Sequence, residues 1–97
     1  MVFGSLRDGF ARVLHSDYGI KAKIYTCSLW PTKLIRFYVV SDDFEHLQYA
    51  ERQDVVWRTV ERFSGADSRR RISSIATLTT KEARDNDDLQ KVRKKGK

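Results

Sequence analysis

Apolar residues recur every three or four positions at the start of the chain, which is the spacing of one face of an α-helix. The pattern predicts an amphipathic helix of about three to four turns. A short polar segment follows and ends in Gly19, which we expect to stop the helix in a left-handed backbone conformation. The apolar positions are Val2, Phe3, Leu6, Phe10, Val13 and Leu14.

Two strands are predicted next. Residues 20–27 alternate small or apolar side chains with Lys, Tyr and Cys, and this period of two predicts a strand with one face on a core. Pro31 lacks an amide hydrogen and fixes its own φ, so we expect Trp30 and Pro31 in a turn. Residues 34–40 are rich in β-branched and aromatic side chains and predict a second, more buried strand. The short connection favours an antiparallel hairpin.

A long helix and a third strand are predicted in the second half of the chain. The polar residues 41–43 supply turn and N-cap chemistry for a helix over residues 44–63. The small and polar residues 64–68 are expected to end that helix. After a run of three arginines, residues 72–79 predict the third strand.

A last helix is predicted from a capping box, because Thr79 and Glu82 have the required spacing. This helix is weakly apolar, and residues 91–97 are expected to form a basic, frayed tail. Residues 1–90 are then one domain, since the chain is long enough for a single core. The residues of the last helix that are able to pack are Ala83, Leu89 and Val92.

The order helix, strand, strand, helix, strand, helix predicts an α+β fold. A strand–helix–strand crossover is expected to be right-handed and to place the third strand parallel to the second. The result is a two-layer sandwich in which helices cover one face of a three-stranded mixed sheet.

Charge and cysteine content narrow the functional classes. The formal net charge is +6, and residues 81–97 contribute +3 of it, so the excess is split between the body and the end of the chain. A basic balance favours anionic partners. A single cysteine cannot form an internal disulfide, the start of the chain lacks a signal-peptide pattern, and no apolar run has the length of a membrane span. We therefore expect a cytoplasmic protein.

One segment resembles the signature of the BolA family. A strand ends in Ser41, Phe44 closes the following turn, and a helix then carries Arg52, an apolar pair and Trp57. Residues 72–82 are similar to the family's closing strand and to the Thr-x-Glu start of its last helix. The resemblance implies a fold like the class II KH domain. It also implies a non-enzymatic module that binds a monothiol glutaredoxin.

The chain departs from that family at one position. The resemblance implies a histidine directly after the helix arginine, as a ligand to a 2Fe-2S cluster shared with the glutaredoxin. Here the residue is Gln53, and a carboxamide is a poor ligand for iron. The second implied ligand comes from the loop between the first two strands, where Cys27 is the candidate, although we expect an ordinary strand residue. We therefore predict a protein complex with no cofactor and no normal shared cluster. The predicted contact residues are Cys27, Lys33, Arg52, Gln53 and Asp54.

Nucleic-acid binding, as by a KH-like protein, is the alternative. Basic residues cluster on the first strand, before the third strand and at the end of the chain, where phosphates would be attracted. Tyr25, Phe37 and Tyr38 are candidates for stacking on bases, although residues of this kind more often fill the core or flank it. The sequence lacks the Gly-x-x-Gly loop that KH modules use. The candidate contacts are Lys21, Lys23, Arg69, Arg70, Arg71, Lys91, Arg93, Lys94 and Lys95.

No set of residues has the spacing of a catalytic or metal site. His15 and His46 belong to different predicted elements, and neither has a cysteine or acid nearby in a metal-ligand arrangement. The acidic run at residues 85–88 lacks the rest of a calcium loop and is expected to be a solvated helix face. Binding, rather than catalysis, is the predicted activity of this chain.

Overall fold

The computed structural model describes the backbone of residues 2–95 and the side chains of residues 7–62 and 70–92. The elements follow the predicted order, with a short 3-10 helix before the second α-helix and a break in the last helix. Within the described residues, no helix is both long enough and apolar enough to cross a membrane. The elements are α1 (Val2–Tyr18), β1 (Lys23–Ser28), β2 (Ile35–Val40), η1 (Asp42–His46), α2 (Tyr49–Arg71), β3 (Ile72–Leu78), α3 (Thr80–Arg84) and α4 (Asp87–Lys95).

The three strands form one mixed sheet in the order β1-β2-β3. Strands β1 and β2 are antiparallel, with Cys27 opposite Arg36. Strands β2 and β3 are parallel, which requires a crossover such as the one that α2 provides. These features confirm the predicted α+β fold, its element order and its three-stranded mixed sheet.

The first face of the sheet carries the main core, which is covered by α1 and α2. Phe10 of α1 meets Phe37 of β2 with ring centroids 5.6 Å apart and ring planes at 50°. Both rings are fully buried. Ile35 and Val39 share this face with Phe37, because side chains two residues apart in a strand point to the same side.

The second face is covered by the last two helices, which differs from the prediction that all helices lie on one face. Tyr38 points away from the main core and packs with Ala83 of α3 and Leu89 of α4. The physical reason is that a large ring on this face would otherwise lie in water. Asn86 lies between the two helices, and its Oδ1 accepts the Leu89 N–H at 2.9 Å as the N-cap of α4.

Helix boundaries also differ from the prediction. The turn after β2 becomes η1, and α2 begins at Tyr49 rather than near residue 44. Helix α2 continues through residues 64–68 to Arg71, because one glycine costs only about 1 kcal/mol in a helix and no proline interrupts the segment. Helix α4 extends to Lys95, so the backbone of residues 91–95 is helical, while residues 96 and 97 of the predicted tail lie outside the described residues.

Two predicted helix signals are confirmed. Gly19 has a φ of 68°, and its N–H donates to the His15 carbonyl oxygen at 2.8 Å. Thr79 Oγ1 accepts the Glu82 N–H at 3.2 Å, while Glu82 Oε1 accepts the Thr79 N–H at 2.8 Å, so both halves of the capping box form. Both signals involve residues three or four apart, which is why the sequence alone predicts them.

Candidate functional site

The predicted partner-binding residues do not form one surface. Cys27 lies half-buried on the second face of the sheet, where it packs beside the cluster of Tyr38 and Leu89. Gln53 lies on α2, which covers the first face, and reaches β3 at the far edge of the sheet. Strand β2 separates the two positions. The structure therefore does not bring Cys27 and Gln53 together. The predicted contact residues, which run from Cys27 in β1 to Asp54 in α2, fall on two separate parts of the molecule instead of one surface.

Gln53 makes hydrogen bonds inside the fold. Its Nε2 donates to the Ile75 carbonyl oxygen at 2.8 Å and to Thr77 Oγ1 at 3.4 Å, while its Oε1 accepts the Trp57 Nε1–H at 3.1 Å. Strand β3 is an edge of the described sheet, so its outer carbonyl groups need partners other than a strand. This donor set does not fit a 2Fe-2S cluster held by Gln53 and Cys27. Both ends of the amide are engaged, and the thiol lies on the opposite face.

Gln53→Ala is expected to lower the free energy of unfolding by about 1–3 kcal/mol, because the Ile75 carbonyl and the Trp57 indole N–H lose these partners. Gln53→Glu keeps an acceptor for the indole and removes the donor to Ile75, so it isolates the bond to the strand edge. Urea denaturation measures both variants. Unchanged unfolding midpoints in both would contradict this role.

Gln53→His tests the same placement by spectroscopy. A histidine here is expected to create no cluster site, because Cys27 remains on the opposite face. The family resemblance implies the opposite result, because it makes a histidine at this position a ligand to the shared cluster. A visible cluster spectrum after reconstitution of the variant with a glutaredoxin would support the family alignment over the geometry.

Arg52 is a second structural residue among the predicted contacts. Its Nε donates to the Leu47 carbonyl oxygen at 3.0 Å, and its Nη1 donates to Glu82 Oε1 at 2.9 Å and to the Thr77 carbonyl oxygen at 3.4 Å. The guanidinium also lies over the Phe44 ring, 5.7 Å from its centroid. The Arg52 side chain is 12% exposed. It therefore joins η1, α2, β3 and α3 and offers little surface to a partner.

Glu82 makes the stability of this junction depend on pH. The Thr79 N–H, and then Arg52, lower the pKa of Glu82 from its ordinary 4.5. A carboxyl group with a lowered folded-state pKa stabilises the fold above its ordinary pKa, and that contribution is lost as the pH falls through the lower folded value. Because Glu82 is 49% exposed, Glu82→Gln is expected to cost about 0.5–1 kcal/mol at neutral pH and almost nothing in acid.

Thermal melts from about pH 7 to about pH 3 check the Glu82 prediction. Glu45→Gln is the control. It also removes one carboxylate, and Glu45 is exposed in η1. If the melting temperatures of wild type and Glu82→Gln differed by the same amount over the whole pH range, the difference would not come from ionisation of Glu82.

The β1–β2 hairpin presents an exposed tryptophan. Trp30 is 88% exposed. Hydrogen bonds close its loop: the Leu29 N–H donates to the Leu34 carbonyl oxygen at 3.0 Å, and the Thr32 N–H and hydroxyl donate to the Leu29 carbonyl oxygen at 2.9 and 2.5 Å. The loop therefore holds Trp30 outward. The sequence predicts Trp30 in a turn of the loop from Cys27 to Lys33, which is part of the predicted partner contact, but does not single it out, although an aromatic residue next to Pro31 was the available signal.

Basic side chains lie at the same end of the sheet as this tryptophan. The strand register brings the end of β1 and the starts of β2 and β3 to the same end of the sheet. Lys33 of the loop and Arg70 and Arg71 of the last helical turn of α2 are exposed there. Trp30, Lys33, Arg70 and Arg71 are named the basic hairpin end. One predicted protein contact, Lys33, therefore lies at the same end of the sheet as two predicted nucleic-acid contacts, Arg70 and Arg71.

The other predicted nucleic-acid contacts do not join this surface as one group. Lys21 and Lys23 are exposed at the opposite end of the sheet, where β1 begins, and Lys91 is exposed on α4. The remaining four predicted contacts have side chains outside the described ranges, and these are Arg69, Arg93, Lys94 and Lys95.

The aromatic residues predicted to stack on bases are largely interior. Phe37 and Tyr38 are buried on opposite faces of the sheet, at 0% and 3% exposure. Tyr25 is half-buried next to the cluster that contains Tyr38. The stacking prediction is therefore corrected for Phe37 and Tyr38, because a base would have to displace a covering helix to reach either ring.

The remaining candidate residues lie apart on the surface. Asp54 pairs with Arg58 one turn further along α2 at 3.0 Å, and exposed pairs of this kind contribute little. His15 and His46 are exposed at the end of α1 and in η1. Among the described residues, no three His, Cys, Asp or Glu side chains are grouped so as to hold a metal ion. No protein-family model matches the chain, and no curated protein matches it.

Proposed function

We propose that this chain is a non-enzymatic binding module that engages a protein partner through the basic hairpin end. The observation that carries the proposal is the 88% exposure of Trp30 on a loop closed by its own hydrogen bonds. Tryptophan and arginine are enriched among the residues that dominate binding energies at protein interfaces. A partner with an apolar pocket and an acidic rim would complement Trp30 and the flanking cations.

The resemblance to the BolA family points to the same end of the molecule as the partner-binding surface. It implies that the loop between the first two strands faces a monothiol glutaredoxin, and in this chain that loop carries Trp30. The element order agrees with the fold that the resemblance implies. The complex is proposed without a shared cluster, because Gln53 is engaged with Ile75 and Trp57.

Trp30→Ala is expected to weaken binding to a monothiol glutaredoxin about 30-fold, which corresponds to the roughly 2 kcal/mol of a hot-spot residue. Tyr49→Ala is the matched control, because Tyr49 is also exposed, at 66%, but starts α2 at the other end of the molecule. Isothermal titration calorimetry with apo and cluster-loaded glutaredoxin measures both variants. No binding of wild type to either form, or equal losses in the two variants, would overturn the proposal.

Single-stranded nucleic acid is the second candidate, favoured by the position of Arg70 and Arg71 at the same end as Trp30. Stacking on the indole with phosphate contacts from the cations would give sequence-tolerant binding. Such binding weakens steeply with salt, because phosphate contacts release counterions. Titration with single-stranded DNA and RNA at two salt concentrations, beside the glutaredoxin titration, separates the two candidates. Salt-insensitive binding, or none, excludes this second function.

A further inference from the structure

A separate cavity of about 510 Å³ opens at the other end of the sheet, where β1 begins and β2 ends. It lies between the segment around η1 and the helices α3 and α4. Its volume is within the range of about 300–1,000 Å³ that is typical of small-molecule sites. We propose that this cavity binds a small phosphorylated ligand that carries a ring and hydroxyl groups, of the nucleoside monophosphate class.

The cations of the cavity supply the phosphate recognition. Lys21 and Lys23 line it from the β1 side, and Arg84 lines it from α3. Within the described side chains, none of the three forms an ion pair. Unpaired cations that line one concave site attract an anion, and an arginine fork and lysine ammonium groups are the usual partners of phosphate.

Two carboxylates in the same cavity restrict the class of ligand. Asp42 Oδ1 accepts the Thr80 N–H at 3.1 Å, and Asp43 Oδ2 accepts the Lys21 N–H at 2.9 Å. The hydrogen bonds from Thr80 lower the pKa of Asp42, so this group is ionised at neutral pH. A carboxylate has acceptor sites for more than one hydrogen bond, and both groups retain capacity for a ligand hydroxyl.

The apolar residues of the cavity accommodate the ring of the ligand. Tyr25 and Val40 line it with half-buried side chains, the buried Ala83 and Leu89 lie behind them, and all four belong to the apolar cluster of the second face. An inorganic phosphate would leave the half-buried side chains of Tyr25 and Val40 uncovered and would meet the two carboxylates. A ligand that joins a phosphate, hydroxyl groups and a flat ring satisfies the cations, the carboxylates and the apolar lining together.

The cavity is independent of the basic hairpin end. The two sites lie at opposite ends of β1 and β2, which at six residues each separate them by about 15–20 Å. Failure of the glutaredoxin or nucleic-acid experiments therefore says nothing about the cavity, and the converse also holds.

The test is an NMR titration of the full chain with adenosine monophosphate, uridine monophosphate, adenosine and inorganic phosphate. We expect saturable shifts of the amides of Ala22, Val40 and Ala83 with both nucleotides, and at least tenfold weaker binding of adenosine and of phosphate. Arg84→Gln is expected to weaken nucleotide binding about tenfold, the effect of losing one charged hydrogen bond. Lys81→Gln removes the same charge from the same helix outside the cavity and is expected to change affinity less than about twofold.

Lys23→Gln is an independent variant at an exposed position of β1, and it is expected to lower nucleotide affinity by a similar factor. No saturable shift with either nucleotide would overturn the proposal. Phosphate binding as tight as nucleotide binding would overturn the ligand class. Losses in Lys81→Gln equal to those in Arg84→Gln and Lys23→Gln would overturn the site, since they would mark a general charge effect.

Discussion

Replacing Phe37 by alanine is expected to lower the free energy of unfolding by about 3–5 kcal/mol. Phe37 is fully buried in the central strand and meets Phe10 of α1 with ring centroids 5.6 Å apart. The truncation removes this ring contact and leaves a cavity, because close-packed neighbours relax only in part. A domain of this kind has a total stability of about 5–15 kcal/mol, so the loss is a large share of it.

Urea denaturation followed by far-UV circular dichroism measures the Phe37 effect. Phe37→Leu is the matched control, because it keeps an apolar side chain of closer volume and is expected to cost about 1 kcal/mol. Suppose instead that Phe37→Ala kept the wild-type midpoint and lost affinity for single strands. Phe37 would then face a ligand, as the sequence suggested, and the first face of the sheet would not be the core.

Replacing Arg52 by alanine is expected to cost about 3 kcal/mol of stability. The variant deprives the Leu47 and Thr77 carbonyl oxygens and the Glu82 carboxylate of one shared donor, and it uncovers the Phe44 ring. These groups belong to segments that are far apart in the chain, so the junction of η1, α2, β3 and α3 is weakened at once. The loss exceeds that of Glu82→Gln, since the removed guanidinium has several partners and the removed carboxylate is half-exposed.

Arg58→Ala is the control for Arg52. Arg58 lies on the same helix, its side chain is 68% exposed, and it pairs with Asp54. Its removal is expected to change stability by less than about 0.5 kcal/mol. Denaturation curves for the two variants, together with binding to a glutaredoxin, decide the role of Arg52. If Arg52→Ala kept its stability but lost binding to the glutaredoxin, Arg52 would be a partner contact, as the sequence predicts.

The type and order of the elements were predictable because their signals are local. Gly19, the capping box and the alternation of β1 each involve residues within a few positions of one another. The end of α2 was not predictable from residues 64–68, which weaken a helix without deciding where it stops. That point depends on where Ile72 enters the sheet opposite Ile35, and Ile35 lies in a distant part of the sequence.

The candidate site was predictable only in fragments. Gln53 and Trp57 are one helical turn apart, and their hydrogen bond is within reach of sequence reasoning. The bond from Gln53 to Ile75 spans 22 positions and exists because β3 lies at the sheet edge beside α2. The basic hairpin end likewise combines a loop and a helix end that are far apart in the chain.

By itself, the sequence determined the type and order of the helices and strands and the α+β fold class, because hydrophobic periodicity, caps and turn residues act over short distances. Only the tertiary structure decided which polar residues remain available for a partner. Arg52 and Gln53 are engaged by groups more than 20 positions away, whereas Trp30 is held in solvent by its own loop. These long-range contacts depend on the order of the strands and on the face of the sheet that each helix covers, and no short-range sequence pattern encodes either.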